Sequence, residues 1–150
     1  MKIMNILHDS VVDGDGLRTV IFFAGCPHRC RGCHNPKSWN IENGIDMTAS
    51  EVINEALNPL THITFSGGEP FMQAEEGKEV ARALKEKGKN IWIYTGYTLA
   101  DIQENGSASQ LELLSYCDVL VDGLFIESQK DISIPFRGSR NQKIHFLKSH

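Results

Sequence analysis

Apolar residues in this chain gather in short unbroken runs, separated by stretches in which apolar positions recur at helical spacing. Leu17 to Ala24 is β-branched and aromatic and lies between Gly16 and Gly25, which predicts a strand. Thr48-Ala-Ser-Glu51 has the form of a capping box and opens a helix through about Leu57, which Pro59 ends. His62 to Phe65 predicts a short buried strand that breaks at Ser66-Gly67-Gly68. From about Ala74 to Lys87, Val80, Ala81 and Leu84 share one helical face, and Gly88 follows the last turn. Ile91 to Tyr94 is the next strand, helical segments cover Leu99 to Glu104 and Gln110 to Tyr116, and Asp118 to Asp122 is a further strand. Strands that are apolar throughout need cover on both faces. Alternating with helices, they predict an α/β fold with a mostly parallel sheet.

Length narrows this further. The 150 residues are expected to form one domain, residues 1–150, without repeats or linkers. A closed eight-stranded α/β barrel takes about 250 residues, so only a partial, open (β/α) barrel is within reach. An open side implies that a partner closes whatever site the barrel carries. The balance of 15 basic against 19 acidic residues gives −4, which argues against a broad nucleic-acid-binding surface. No apolar run approaches the ~20 residues needed to span a membrane. Met1 to Leu7 is too short for a signal peptide and lacks a small-residue cleavage site. A reducing, cytoplasmic compartment is therefore expected, with the four cysteines used for metal binding rather than disulfides.

Three of those cysteines fall within eight residues, Cys26-Pro-His-Arg-Cys30-Arg-Gly-Cys33. Thiolates bind soft metals and iron–sulfur clusters, and a 4Fe–4S cubane normally takes four. Three would leave one iron open, and an open position is what distinguishes a catalytic metal from a structural one. The alternative is a zinc-stabilised, non-catalytic interaction module in which His28 or His34 completes a Cys3His set. Cys117 lies far off, between an amphipathic stretch and an apolar strand, and reads as a small buried hydrophobe.

In parallel α/β folds, functional residues gather where strands end. The cysteine run directly follows the first predicted strand. The next strand ends in Ser66-Gly67-Gly68-Glu69-Pro70, where two glycines permit close approach to the backbone and Glu69 offers a carboxylate to an ammonium group. The third ends in Tyr94-Thr95-Gly96-Tyr97 and the fourth in Asp122-Gly123. Thr95 and Gly96 read equally as groups facing a ligand and as a strand-to-helix turn with Tyr97 packing, and Asp122 equally as a ligand contact and as a turn or cap. Trp39 and Trp92 read as packing residues, and His8, His62, His145 and His150 show no paired spacing.

The C-x3-C-x2-C spacing, followed one strand–helix unit later by Gly67-Gly68-Glu69, resembles the radical S-adenosylmethionine (SAM) enzymes. Asp13-Gly-Asp-Gly-Leu-Arg18, a strand and then Gly25-Cys26 are similar to the glycyl-radical-enzyme activases within them. Cys26 through Trp39, Ile91 through Tyr97, Val119 through Gly123 and Arg137-Gly-Ser-Arg-Asn-Gln142 resemble the activating proteins of anaerobic (class III) ribonucleoside-triphosphate reductase. Two departures stand out: Gly32 replaces an aromatic common in the wider superfamily, and Asp15 stands where activases usually have proline.

The resemblance implies a 4Fe–4S cluster held by Cys26, Cys30 and Cys33, with SAM on the open iron. Gly32, Cys33, His34, Gly68 and Glu69 would hold the methionine end of SAM, and Thr95 and Gly96 its ribose or adenine. A one-electron donor such as reduced flavodoxin would charge the cluster. The reductase large subunit would be the protein substrate, receiving a glycyl radical, with no protein acid or base required. An activase of another glycyl-radical enzyme, of the pyruvate formate-lyase type, is the nearest alternative.

Overall fold

The computed structural model describes residues 1–33 and 36–148. Among them are strands β1 (Lys2–Ser10), β2 (Arg18–Phe23), β3 (Ile45–Asp46), β4 (His62–Gly67), β5 (Ile91–Tyr94), β6 (Val119–Asp122) and β7 (Lys143–Phe146). The α-helices are α1 (Ala49–Ala56), α2 (Ala74–Glu86), α3 (Leu99–Asn105) and α4 (Ala108–Ser115). All seven strands join one sheet in the order β3-β1-β2-β4-β5-β6-β7. β2, β4, β5 and β6 pair in parallel, while β1 and β7 flank them antiparallel. The sheet ends at β3 and β7, so it is open.

Local sequence sets the helix boundaries. Thr48 and Glu51 form the expected capping box on α1, and Ser107 with Gln110 forms a second on α4. Thr98 caps α3 through the Asp101 amide. Gly88, at φ 79°, follows α2 and takes the left-handed conformation that ends a helix.

All four helices cover one face of the sheet. There Val52 and Ala56 of α1, Val80, Ala81 and Leu84 of α2, Ile102 of α3 and Leu113 of α4 bury against Ile21, Phe23, Ile63, Phe65, Ile91, Ile93 and Leu120. Each large aliphatic or aromatic side chain so buried contributes roughly 1.5–3 kcal/mol. Cys117 is wholly buried in this same core. Burial pushes its thiol pKa up, and its Sγ donates to the Val119 carbonyl at 3.1 Å. It packs as expected.

The opposite face is built around Arg18, the last residue of the Asp13-Gly-Asp-Gly-Leu-Arg18 segment. The residue is 1% exposed, and its guanidinium donates to Thr64 Oγ1, to the Asp15, Ile63 and Asn90 carbonyls, and to Asn90 Oδ1. Burial lowers its pKa to about 10. Gly14 lies so close over this side chain that a Cβ would meet Arg18 Cδ at 2.7 Å. The segment therefore clamps the N-terminal ends of β2, β4 and β5, and Asp15 takes part through its backbone carbonyl. Trp92, beneath the Arg18 guanidinium at 5.5 Å and edge-on to Phe136 at 5.2 Å, is a packing residue here.

No helix among the described residues is long and apolar enough to cross a membrane.

Candidate metal centre

β2 runs straight into the cysteine loop. Gly25, at φ 89°, turns the chain off the sheet, and the loop base is tied by Gly25 N to Ser38 O (2.6 Å) and Cys26 N to Trp39 O (3.2 Å). Arg29 (φ 47°) and Gly32 (φ 76°) both take the left-handed conformation, and Cys33 N closes a turn on Cys30 O at 3.1 Å. These bends bring Cys26, Cys30 and Cys33, each half-buried, onto the wall of one cavity of about 610 Å³. Burial raises the Cys26 thiol pKa, so metal binding there must displace a proton. Among the described residues, no three His, Cys, Asp or Glu side chains converge on a site for one ion. The three thiols nonetheless line one cavity, and as thiolates they are the donors an iron–sulfur cluster takes, while Cys117 is remote in the core.

Gly67, Gly68, Thr95, Gly96 and Gly123 line the same cavity. The loops after β2, β4, β5 and β6 are thus brought together at one end of the sheet, as the sequence leads one to expect. The two glycines at the end of β4 meet chain rather than empty space. A Cβ on Gly67 would lie 2.6 Å from Phe23 N, and one on Gly68 2.4 Å from Gly25 O. Gly68 N and Glu69 N then bond Phe23 O and Gly25 O, both at 2.8 Å. Close approach of the β4 loop to the root of the cysteine loop is what requires this pair.

Glu69 is turned inward. It is wholly buried, and its carboxylate accepts hydrogen bonds from His28 Nε2 (2.6 Å), Thr95 Oγ1 (2.9 Å), Gly96 N (2.8 Å) and Phe71 N (3.1 Å). A carboxylate offers about four lone-pair sites, so these donors satisfy it. The Thr95 hydroxyl and Gly96 amide, expected to face a nucleoside, both point at Glu69 instead. Asp122 accepts from Leu99 N at 2.7 Å, holding the first turn of α3 beside the Thr98 cap, and lies 3.0 Å from His145 Nε2. Tyr97 packs on the core and edge-on to His28. His34 and His150 lie outside the described residues.

Gly32 has a local reason. Besides its positive φ, a Cβ there would meet the Glu127 carboxyl carbon at 3.0 Å. The exposed Glu127 side chain can swing aside, so the left-handed backbone is what favours glycine here. Gly32→Ala is expected to lower stability by about 1–2 kcal/mol through the left-handed backbone alone, as read from urea denaturation.

Several wall residues carry no sequence signal. Val11, Val12, Phe125, Ile132 and Phe136 line the cavity from loops that lack periodicity. The Arg137 to Gln142 stretch knits that wall together: Gln142 Nε2 donates to Gly123 O at 3.0 Å, Gly138 N to Gln142 Oε1 at 2.8 Å, and Asn141 Nδ2 to Leu124 O at 2.7 Å.

Comparison with known proteins fixes the family. A profile described as a 4Fe-4S single cluster domain matches residues 12–145. The chain is 35% identical to the anaerobic ribonucleoside-triphosphate reductase-activating protein of Haemophilus influenzae, over 99% of both chains. The chain belongs to the anaerobic ribonucleoside-triphosphate reductase-activating protein family. Other members of this activating-protein family are as similar. That of Vibrio cholerae is 38% identical over 90% of this chain and 91% of its own. That of Enterobacteria phage T4 is 36% identical over 89% of this chain and 86% of its own.

Proposed function

We propose that this protein is a radical SAM activase that installs a glycyl radical on the anaerobic ribonucleoside-triphosphate reductase. The observation that carries the reading is the single cavity onto which the loops after four parallel strands deliver three thiols and a Gly67-Gly68 shelf, with Glu69 buried behind it. The family profile and the names of the relatives support it. On this reading residues 1–150 form one domain, and the open sheet is a partial (β/α) barrel of the radical SAM type.

Cys26, Cys30 and Cys33 are the cluster ligands, and a 4Fe–4S cluster held by three thiolates keeps one iron for SAM. When bound, the cluster and SAM would supply one-electron radical chemistry directed at the α-hydrogen of the target glycine. The protein positions and shields. Gly32, Cys33, His34 and the Gly67-Gly68 backbone hold the methionine end. Glu69 sets its negative charge behind that shelf, favouring the ammonium group while its own oxygens fix the loops. Thr95 and Gly96 act through Glu69 and shape the wall beneath the nucleoside. A cavity of about 610 Å³ suits a ligand of SAM's size. Its aliphatic rim, with Val11, Val12 and Ile132 exposed, leaves the open side for the reductase to close. The electron comes from an external donor such as reduced flavodoxin, and the setting is cytoplasmic.

The test is anaerobic mixing with the class III reductase, SAM and a reductant. An electron paramagnetic resonance doublet is expected on the reductase, and deuterium on the target α-carbon should appear in 5′-deoxyadenosine. A radical on another glycyl-radical enzyme but none on the reductase would overturn the choice of partner. A colourless preparation after iron and sulfide reconstitution, with zinc bound, would overturn the cluster.

A further inference from the structure

We infer that His28 is a positioning residue, a latch that holds the cysteine loop against the loops after β4 and β5. It deepens the proposed function and rests on the reading that Cys26, Cys30 and Cys33 hold the cluster.

Three independent features point to it. First, His28 lies midway between Cys26 and Cys30, yet its side chain is only 12% exposed and its Nε2 reaches Glu69 Oε1 at 2.6 Å, 41 residues away. An ionised carboxylate only accepts, so the imidazole donates, and a charge-assisted bond of this length is among the stronger kinds. Second, the ring has a built seat. A Cβ on Gly96 would lie 2.5 Å from His28 Cδ2, and Tyr97 meets the ring edge-on with centroids 4.6 Å apart. Only glycine at 96 admits the imidazole. Third, Arg29, the next residue, is held at φ 47°, a conformation that a non-glycine residue keeps when its surroundings impose it. The Arg31–Glu127 pair also touches this loop, but at 3.4 Å with side chains 95% and 54% exposed it adds little.

The anchor is rigid. Glu69 is tied to the β5 loop through Thr95 and Gly96 and to its own turn through Phe71 N. Removing His28 therefore leaves the carboxylate with three donor groups, and the fold should persist. What changes is the separation between the thiols and the Gly67-Gly68 shelf. A ligand that bridges a cluster and that shelf gains affinity when the separation is set beforehand.

The experiment compares His28→Phe, which keeps a ring and loses the donor, with His28→Gln, whose Nε2–H reaches a similar place. In cluster-free protein, iodoacetamide should alkylate Cys26 about tenfold faster in His28→Phe, with His28→Gln close to the parent. After reconstitution with iron and sulfide, His28→Phe should bind SAM about tenfold more weakly by equilibrium dialysis, again restored by Gln. Should His28→Phe fail to fold by circular dichroism, His28→Ala carries the same expectations. Equal alkylation rates in parent and donor-free variant would overturn the latch whatever the cluster does. The alkylation contrast in a protein that takes up no cluster would overturn the cluster reading and the positioning role with it.

Discussion

Replacing Cys26, Cys30 or Cys33 singly by alanine is expected to abolish SAM cleavage and radical transfer, with activity falling below detection. Each variant leaves a cluster two protein thiolates, too few to hold a cubane that also offers an iron to SAM. The loop itself should survive, because its bends are set at Gly25, Arg29 and Gly32 and its base is tied to Ser38 and Trp39 by backbone bonds. Circular dichroism should therefore match the parent while the visible absorption of the reconstituted protein is lost. Cys117→Ala is the control. Its side chain lies wholly within the core, its thiol pKa is raised by burial, and its Sγ bonds a backbone carbonyl. It should keep both cluster and activity and lose about 1 kcal/mol of stability. Cluster loss in Cys117→Ala with the fold intact would show that the ligand set is misplaced.

How much of this was legible from residue order follows from burial. β2, β4, β5 and β6 are covered on both faces, so they appear as unbroken apolar runs such as Ile91-Trp-Ile-Tyr94. β1 escaped notice because it flanks the parallel core, and Asn5, His8 and Asp9 interrupt its apolar pattern. β3 has two exposed residues, and β7 pairs only with β6 while staying partly exposed. Such edge pairings depend on tertiary contact, which a short window cannot see. α1 and α2 fared better because the Thr48–Glu51 box and Gly88 mark their ends locally, whereas the Ser107–Gln110 box that starts α4 at Ala108 went unread and the helix was expected from Gln110.

The candidate site divides along the same line. The spacing of the three cysteines is local, and so is Gly67-Gly68-Glu69. The partners of Glu69 are not: His28 is 41 residues away and Thr95 is 26. Nothing in their spacing shows that one buried carboxylate gathers three loops. The glycines likewise read as room for a ligand, while the structure shows Gly68 making room for Gly25 and Gly96 for His28. One signal was available. Three strand ends carrying glycine beside a polar residue imply loops that approach one another closely.

Glu69→Gln should separate the two ways in which that carboxylate acts. The amide keeps the shape but replaces one acceptor oxygen with a donor. Because His28 and Gly96 point at Oε1, Phe71 N at Oε2 and the Thr95 hydroxyl at both, either orientation of the amide sets a donor against a donor. Leaving such a buried group unsatisfied costs about 1–3 kcal/mol, expected as a lower urea midpoint with unchanged slope. The substitution also removes a negative charge behind the Gly67-Gly68 shelf. A single charge acting on a nearby ammonium at the effective dielectric of a protein interior contributes roughly 1.5–3 kcal/mol. SAM affinity of the reconstituted protein should therefore fall about ten- to hundredfold, while the cluster spectrum stays that of the parent. Both effects should appear together. A lowered urea midpoint with unchanged SAM affinity would reduce Glu69 to a strut between loops, and unchanged values of both would remove it from the site.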